Sequence, residues 1–177
     1  MDAVETGQDW KIAALKSSFH VHIFFGGFMH KKFLNLAFYY ANEAYQNNEV
    51  PIGAVIVKNG EVIAYGYNSK EKNQSVLCHA ELIAIEEASK KIHNWRLDEC
   101  DLYVTLDPCP MCASAIKQAR IKHVYSALNN KDENNFKIIQ NIFQKDSINP
   151  GVEFISNLDV STSNKLLSDF FKKQRNK

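Results

Sequence analysis

His79, Glu81, Cys109 and Cys112 are the residues of this chain whose types and spacing point to chemistry. Leu77-Cys78-His79-Ala80-Glu81 offers one imidazole, and Pro108-Cys109-Pro110-Met111-Cys112 offers two thiols. These are three good zinc ligands, and three protein ligands leave the fourth tetrahedral position to water, as a catalytic site does and a structural site does not. Cys109 and Cys112 stand one helical turn apart, so both sulfurs can face one point. A helix start there also favours thiolate over thiol through the positive end of its dipole. Glu81, two residues from His79, is awkwardly placed to share the ion from a regular helix and better placed to reach a water on it. Zinc with an open position lowers the pKa of its water from 15.7 to about 7. With a purine or pyrimidine beside it, that water can replace an exocyclic amine. One proton must then reach a ring nitrogen and another the departing amine. A single carboxylate can perform both transfers, and Glu81 is the candidate. The competing reading of Glu81 is a solvated acid on a helix surface, favoured by the dipole. Cys78 adjoins His79, but adjacent residues point apart and a fourth protein ligand would close the site. It is therefore read as a small buried side chain, and Cys100 as packing.

Composition narrows the classes. The chain has 177 residues, 45% of them hydrophobic, enough for one domain with a full core. A net charge of +1 announces no global basic field, so contact with nucleic acid has to come from a local patch. Of the four cysteines, two sit in the metal motif and two stand singly, which suits a reducing, cytoplasmic compartment rather than a disulfide framework. No apolar run reaches the roughly 18 residues of a spanning helix, so no membrane is expected as a partner.

The elements that must position these residues follow from the pattern. Residues 1–28 read as an extension, poorly ordered or arising from a start assigned too early, and His20, His22 and His30 as incidental histidines. A single domain over 29–177 carries the rest. Phe33, Leu36, Ala37, Tyr40, Ala41, Ala44 and Tyr45 mark the buried stripe of a helix from Phe33 to about Asn48. Ile52–Lys58 and Glu61–Asn68 flank Asn59-Gly60 and predict a hairpin with a type I′ turn. Gly53 is a place where a ligand could approach the backbone. Asn68 ends the second strand, either as a turn residue or as an amide that reads a base edge. After the polar loop Ser69–Ser75, helices are expected over 79–92 (inner face Leu82, Ile83, Ile85, Ala88), 110–120, 136–143 and 161–174, and strands over 102–106, 121–127 and 152–155. Strands alternating with helices give a three-layer α/β/α domain.

Further stretches carry a resemblance. The pairing of H-x-E with P-C-x-x-C is the signature of zinc nucleobase deaminases. Glu49-Val50-Pro51-Ile52-Gly53-Ala54-Val55, Asn94-Trp95-Arg96-Leu97, Leu102–Cys112 and Leu166–Phe171 are similar to the bacterial tRNA-specific adenosine deaminases of the cytidine/deoxycytidylate deaminase superfamily, over residues from about 31 onward. The resemblance implies a mixed five-stranded sheet flanked by helices, one Zn2+ per chain and a homodimer. It also implies hydrolytic conversion of adenosine to inosine at the wobble position of an arginine tRNA with anticodon A-C-G. His79, Cys109 and Cys112 match the family's zinc ligands, Glu81 its proton shuttle, and Asn68 an asparagine that bonds the flipped base. Lys172, Lys173 and Arg175, in the basic end of the chain, fit phosphate contacts with the tRNA, whereas a terminal charge run otherwise reads as solvated. Asp107 departs from the family's usual glutamate, Cys78 from a small residue, and Leu128–Asp132 from A-R-D-x-K-x-G, a segment that lies beside the nucleic acid in the family. Two other readings stay open: a deaminase of a free base or nucleoside such as guanine or cytidine, and a zinc-stabilised binding module without catalysis.

Overall fold

The computed structural model describes residues 26–129 and 132–176, with side chains from His30 onward. Expectations for residues 1–25, His20 and His22 among them, and for Asn130 and Lys131, lie outside the described residues. The chain divides into a unit Met1–Lys32 and a unit Phe33–Lys177, and the second carries the site.

In chain order the elements are α1 (Gly26–Gln46), β1 (Gly53–Lys58), β2 (Glu61–Tyr67), α2 (Lys70–Asn73), α3 (Ala80–Ile92), β3 (Cys100–Val104), α4 (Pro110–Gln118), β4 (His123–Ser126), α5 (Glu133–Phe143), β5 (Glu153–Ile155) and α6 (Val160–Arg175). Asn59 and Gly60 both have positive φ (53° and 78°), as a type I′ turn requires, and Lys58 pairs with Glu61 across it. Helix α1 starts ahead of the expected Phe33 because apolar periodicity marks where burial begins, not where the helix does. Helix α5 starts at Glu133, within the expected polar connection, because the Asp132 carboxylate accepts the backbone N–H of Asn134 and Asn135 as an N-cap. Among the described residues no helix is long and apolar enough to cross a membrane.

The five strands form one sheet in the order β2-β1-β3-β4-β5. β1 is antiparallel to β2 and β3, while β3, β4 and β5 are mutually parallel. Val55 and Val57 face α1, packing with Phe33, Leu34, Ala37 and Tyr103. Ala54 and Ile56 face the opposite side, where α3, α4 and α5 contribute Ala84, Ala88, Ile116 and Ile139. Helix α6 joins α1: Phe170 meets Tyr45 edge-on at 6.0 Å, and Ser163 Oγ donates to the Thr105 carbonyl at 2.6 Å. The expected α/β/α layering is present.

Two glycines set how closely the helices lie. A Cβ on Gly53 would stand 2.1 Å from Ala37 O, so the backbone that approaches there is α1, not a ligand. On the other face, a Cβ on Gly66 would meet Ala80 O at 2.2 Å and Ala84 N at 2.8 Å. The deepest positions of α3 are consequently Ala80, Ala84 and Ala88, while Leu82, Ile83 and Ile85, expected inside, are only half-buried. Gly66→Ala should cost about 1–3 kcal/mol or more by overpacking a backbone contact, read as a lowered midpoint in denaturant.

Lys117, buried at the end of α4, donates to Gln144 O at 2.6 Å and to Asp146 at 2.7 Å. Chiefly through its hydrogen bond to Lys117, the Asp146 carboxyl is held well below the usual carboxylate range. A depressed native pKa contributes stability above the unfolded value of about 3.9, lost as pH falls through the native one. Asp146→Asn should therefore lower the melting temperature at neutral pH, and the gap from the unsubstituted protein should close in strong acid.

Candidate active site

The metal-capable residues sit at two helix starts. His79 is the N-cap of α3 (φ −81°, ψ 149°) and Cys109 the N-cap of α4 (φ −74°, ψ 167°), and neither side chain is used in capping. Pro110 follows at the first helical position, where its missing N–H costs nothing. Cys112, one turn on, is fully buried. The three side chains converge: His79 Nδ1 is 3.5 Å from Cys112 Sγ and 3.8 Å from Cys109 Sγ. Zinc–nitrogen and zinc–sulfur bonds at a tetrahedral angle place N and S about 3.6 Å apart, so the cradle fits that ion. Among the described residues this is the cluster able to hold a metal, and its three ligand atoms lie within 4.8 Å of one another.

The protonation chemistry agrees. A hydrogen bond from Cys112 lowers the Cys109 thiol to about 5, helped by backbone N–H groups of the helix start and by His79. The same bond, with burial, pushes Cys112 up. Cys109 is thus the thiol inclined toward thiolate, the form in which cysteine binds a cation.

Glu81, in the first turn of α3, is 4% exposed, which removes the solvated-surface reading. Burial, seconded by the Cys109 charge, pushes its carboxyl up to about 7, while its backbone bond and the Cys112 thiol hold the rise back. A carboxyl beside a metal cradle that can hold or release a proton near neutrality is suited to general acid–base work.

Asn68 directly follows β2. Its backbone N–H donates to Ile52 O at 3.0 Å, the residue is 6% exposed, and its side-chain amide has no partner among the described residues. The amide is therefore free for a ligand. Lys172, Lys173 and Arg175 form the basic last turn of α6, away from the cluster in sequence and element. All three are exposed, and Lys173 Nζ lies 5.0 Å over the Tyr45 ring. Cys78 stays out of the cluster and is half-buried rather than buried, its sulfur 3.5 Å from Asn73 Nδ2. Cys100 is fully buried, as expected. His30 joins no metal-binding group among the described residues. Asp107 Oδ1 accepts from Ser156 Oγ at 2.7 Å, tying the loop before Cys109 to the end of β5. Sequence reasoning missed any role for Glu49, which is buried beneath α2. Its signal was one acid between the Asn47-Asn48 break and an apolar strand, too weak to single out.

A model of the MafB19-like deaminase family matches residues 28–175. The tRNA-specific adenosine deaminase of Aquifex aeolicus (strain VF5) is 40% identical over 145 residues, covering 81% of this chain and 95% of that protein. A structure from studies of A-to-I editing by tRNA:A34 deaminases at the wobble position superposes with a TM-score of 0.69 at 35% identity, over 77% of this chain and 99% of that one. A guanine deaminase from Bacillus subtilis superposes with a TM-score of 0.57 at 33% identity, covering 84% and 94%. On the family match, the 40% identity and the shared sheet, this chain belongs to the tRNA-specific adenosine deaminases among the MafB19-like deaminases.

Proposed function

We propose that the protein converts adenosine to inosine in tRNA, at the wobble position of an arginine tRNA with an A-C-G anticodon, using one zinc ion per chain held by His79, Cys109 and Cys112. The observation that carries the reading is the buried Glu81 carboxyl set against a His/Cys/Cys cradle. Bound zinc supplies Lewis acidity that brings the pKa of water down to about 7.

The chain's own residues do the rest. Water adds at the ring carbon bearing the amine, and ammonia leaves. Glu81 receives one proton from the water and delivers it to the adjacent ring nitrogen, then takes the second from the new hydroxyl on the ring carbon and delivers it to the departing amine, and so returns to its starting state. Burial suits this cycle because the carboxyl can both take up and release a proton near neutral pH. The Asn68 amide orients the base through its edge. A base in this position has to be unstacked from its strand, which an anticodon loop permits at low cost. Lys172, Lys173 and Arg175 contact phosphates and fix the register of the stem without reading sequence. The working form in this reading is a cytoplasmic homodimer.

The test is to incubate the zinc-loaded protein with unmodified arginine tRNA of anticodon A-C-G and sequence the product. Conversion at the wobble adenosine alone, read as G, supports the proposal. No conversion by folded, zinc-loaded protein would overturn it. A second reading, deamination of free guanine, draws on the likeness to a guanine deaminase. It predicts that excess tRNA fails to inhibit turnover of the free base.

A further inference from the structure

Glu49 is 1% exposed, and a buried carboxylate needs partners. Its two oxygens accept the backbone N–H of Glu71 at 3.1 Å and of Lys72 at 2.7 Å. These are the second and third residues of α2, whose own N-cap, Ser69, makes no side-chain capping bond. Glu49 therefore caps that helix from 22 residues away.

Helix α2 lies inside the segment Ser69–Cys78, which is closed on itself. Ser69 N–H donates to Cys78 O at 3.0 Å, and Asn73 Nδ2 donates to Ser69 Oγ at 2.9 Å. Asn68 stands directly before this segment and His79 directly after it. Asn68 is also bonded to Ile52, three residues beyond Glu49. One buried carboxylate thus ties the stretch entering β1 to the loop whose two ends carry the candidate base-contacting amide and a candidate metal ligand.

We propose that Glu49 is a positioning residue: by clamping α2 it sets Asn68 and His79 toward the same site. The proposal rests on the roles given to Asn68 and His79 above. Acting at one remove, Glu49 is expected to influence both metal retention and substrate affinity.

The test uses the full chain loaded with zinc. Glu49→Gln keeps the side-chain volume and one acceptor oxygen, but turns an amide N–H₂ toward a backbone N–H. Zinc retention against a competing chelator should weaken measurably, by less than the roughly 10–100-fold that follows loss of a group bonded directly to a ligand. KM for the tRNA should rise more than kcat falls. In an Asn68→Ala background the same substitution should no longer raise KM, because no amide is left to misplace. Asn73→Ala, at an exposed position, should shift both readouts the same way by less, and it serves if Glu49→Gln does not fold. A folded Glu49→Gln protein with unaltered zinc retention and KM would overturn the proposal, as would an equal KM rise in both backgrounds. Zinc retention is read without substrate, so failure of the unsubstituted protein to convert tRNA would sink the functional reading and leave this measurement standing.

Discussion

Glu81→Gln is expected to bind zinc as before and to deaminate at least about 10²–10⁴-fold more slowly, the cost of losing acid–base catalysis. The substitution is close to isosteric in a site only 4% exposed, so packing is kept. The cradle atoms belong to His79, Cys109 and Cys112, which leaves the ion's ligands untouched. What disappears is a group able to take a proton and give it back, and a neutral amide can do neither. Metal analysis beside single-turnover rates separates the two effects. Near-full activity would show that Glu81 moves no proton, while loss of zinc along with activity would reassign Glu81 to the metal.

Cys112→Ala should have a still larger effect, because it removes the ion rather than the shuttle. Cys112 is fully buried and its sulfur approaches His79 Nδ1 at 3.5 Å. Without it two ligands remain, short of the three that catalytic zinc sites use. Water then keeps its ordinary acidity, and the roughly eight- to nine-unit pKa change that zinc supplies is lost. Activity should fall below that of Glu81→Gln. The rise in melting temperature expected when zinc is added to the unsubstituted protein should also vanish, since only a folded form with its full cradle would bind the ion. A Cys112→Ala protein that retained stoichiometric zinc would overturn the ligand assignment.

The centre of the site was legible in the sequence because its spacing is local. Pro110 starts a helix, Cys109 and Cys112 fall one turn apart on it, and His79 and Glu81 stand at the start of another. The turn at Asn59-Gly60 was equally local. What escaped depends on contacts between distant stretches. The helix over Lys70–Asn73 is too short for any periodicity, and its cap, Glu49, is 22 residues upstream. Of Leu82, Ile83, Ile85 and Ala88, expected on the inner face of α3, only Ala88 is buried. Gly66 brings the helix backbone onto the strand, so only alanines fit there. The long side chains are pushed to the flanks. Gly53 was legible as a close approach, but what approaches it is set by the tertiary fold.

The two halves of the metal cradle come from parts of the sheet that form by different routes. His79 follows an antiparallel hairpin closed by a two-residue turn, a fast and local event. Cys109 starts the crossover between parallel strands β3 and β4, which requires slower, long-range pairing. The two candidate ligands are 30 residues apart, and β3 must pair with β1 before they can meet. Metal capture would thus come late on the folding route. An ion taken up after the rate-limiting step leaves the speed of folding almost unchanged and slows the return journey. Zinc here would act as a latch: its contribution appears in how long the native state lasts.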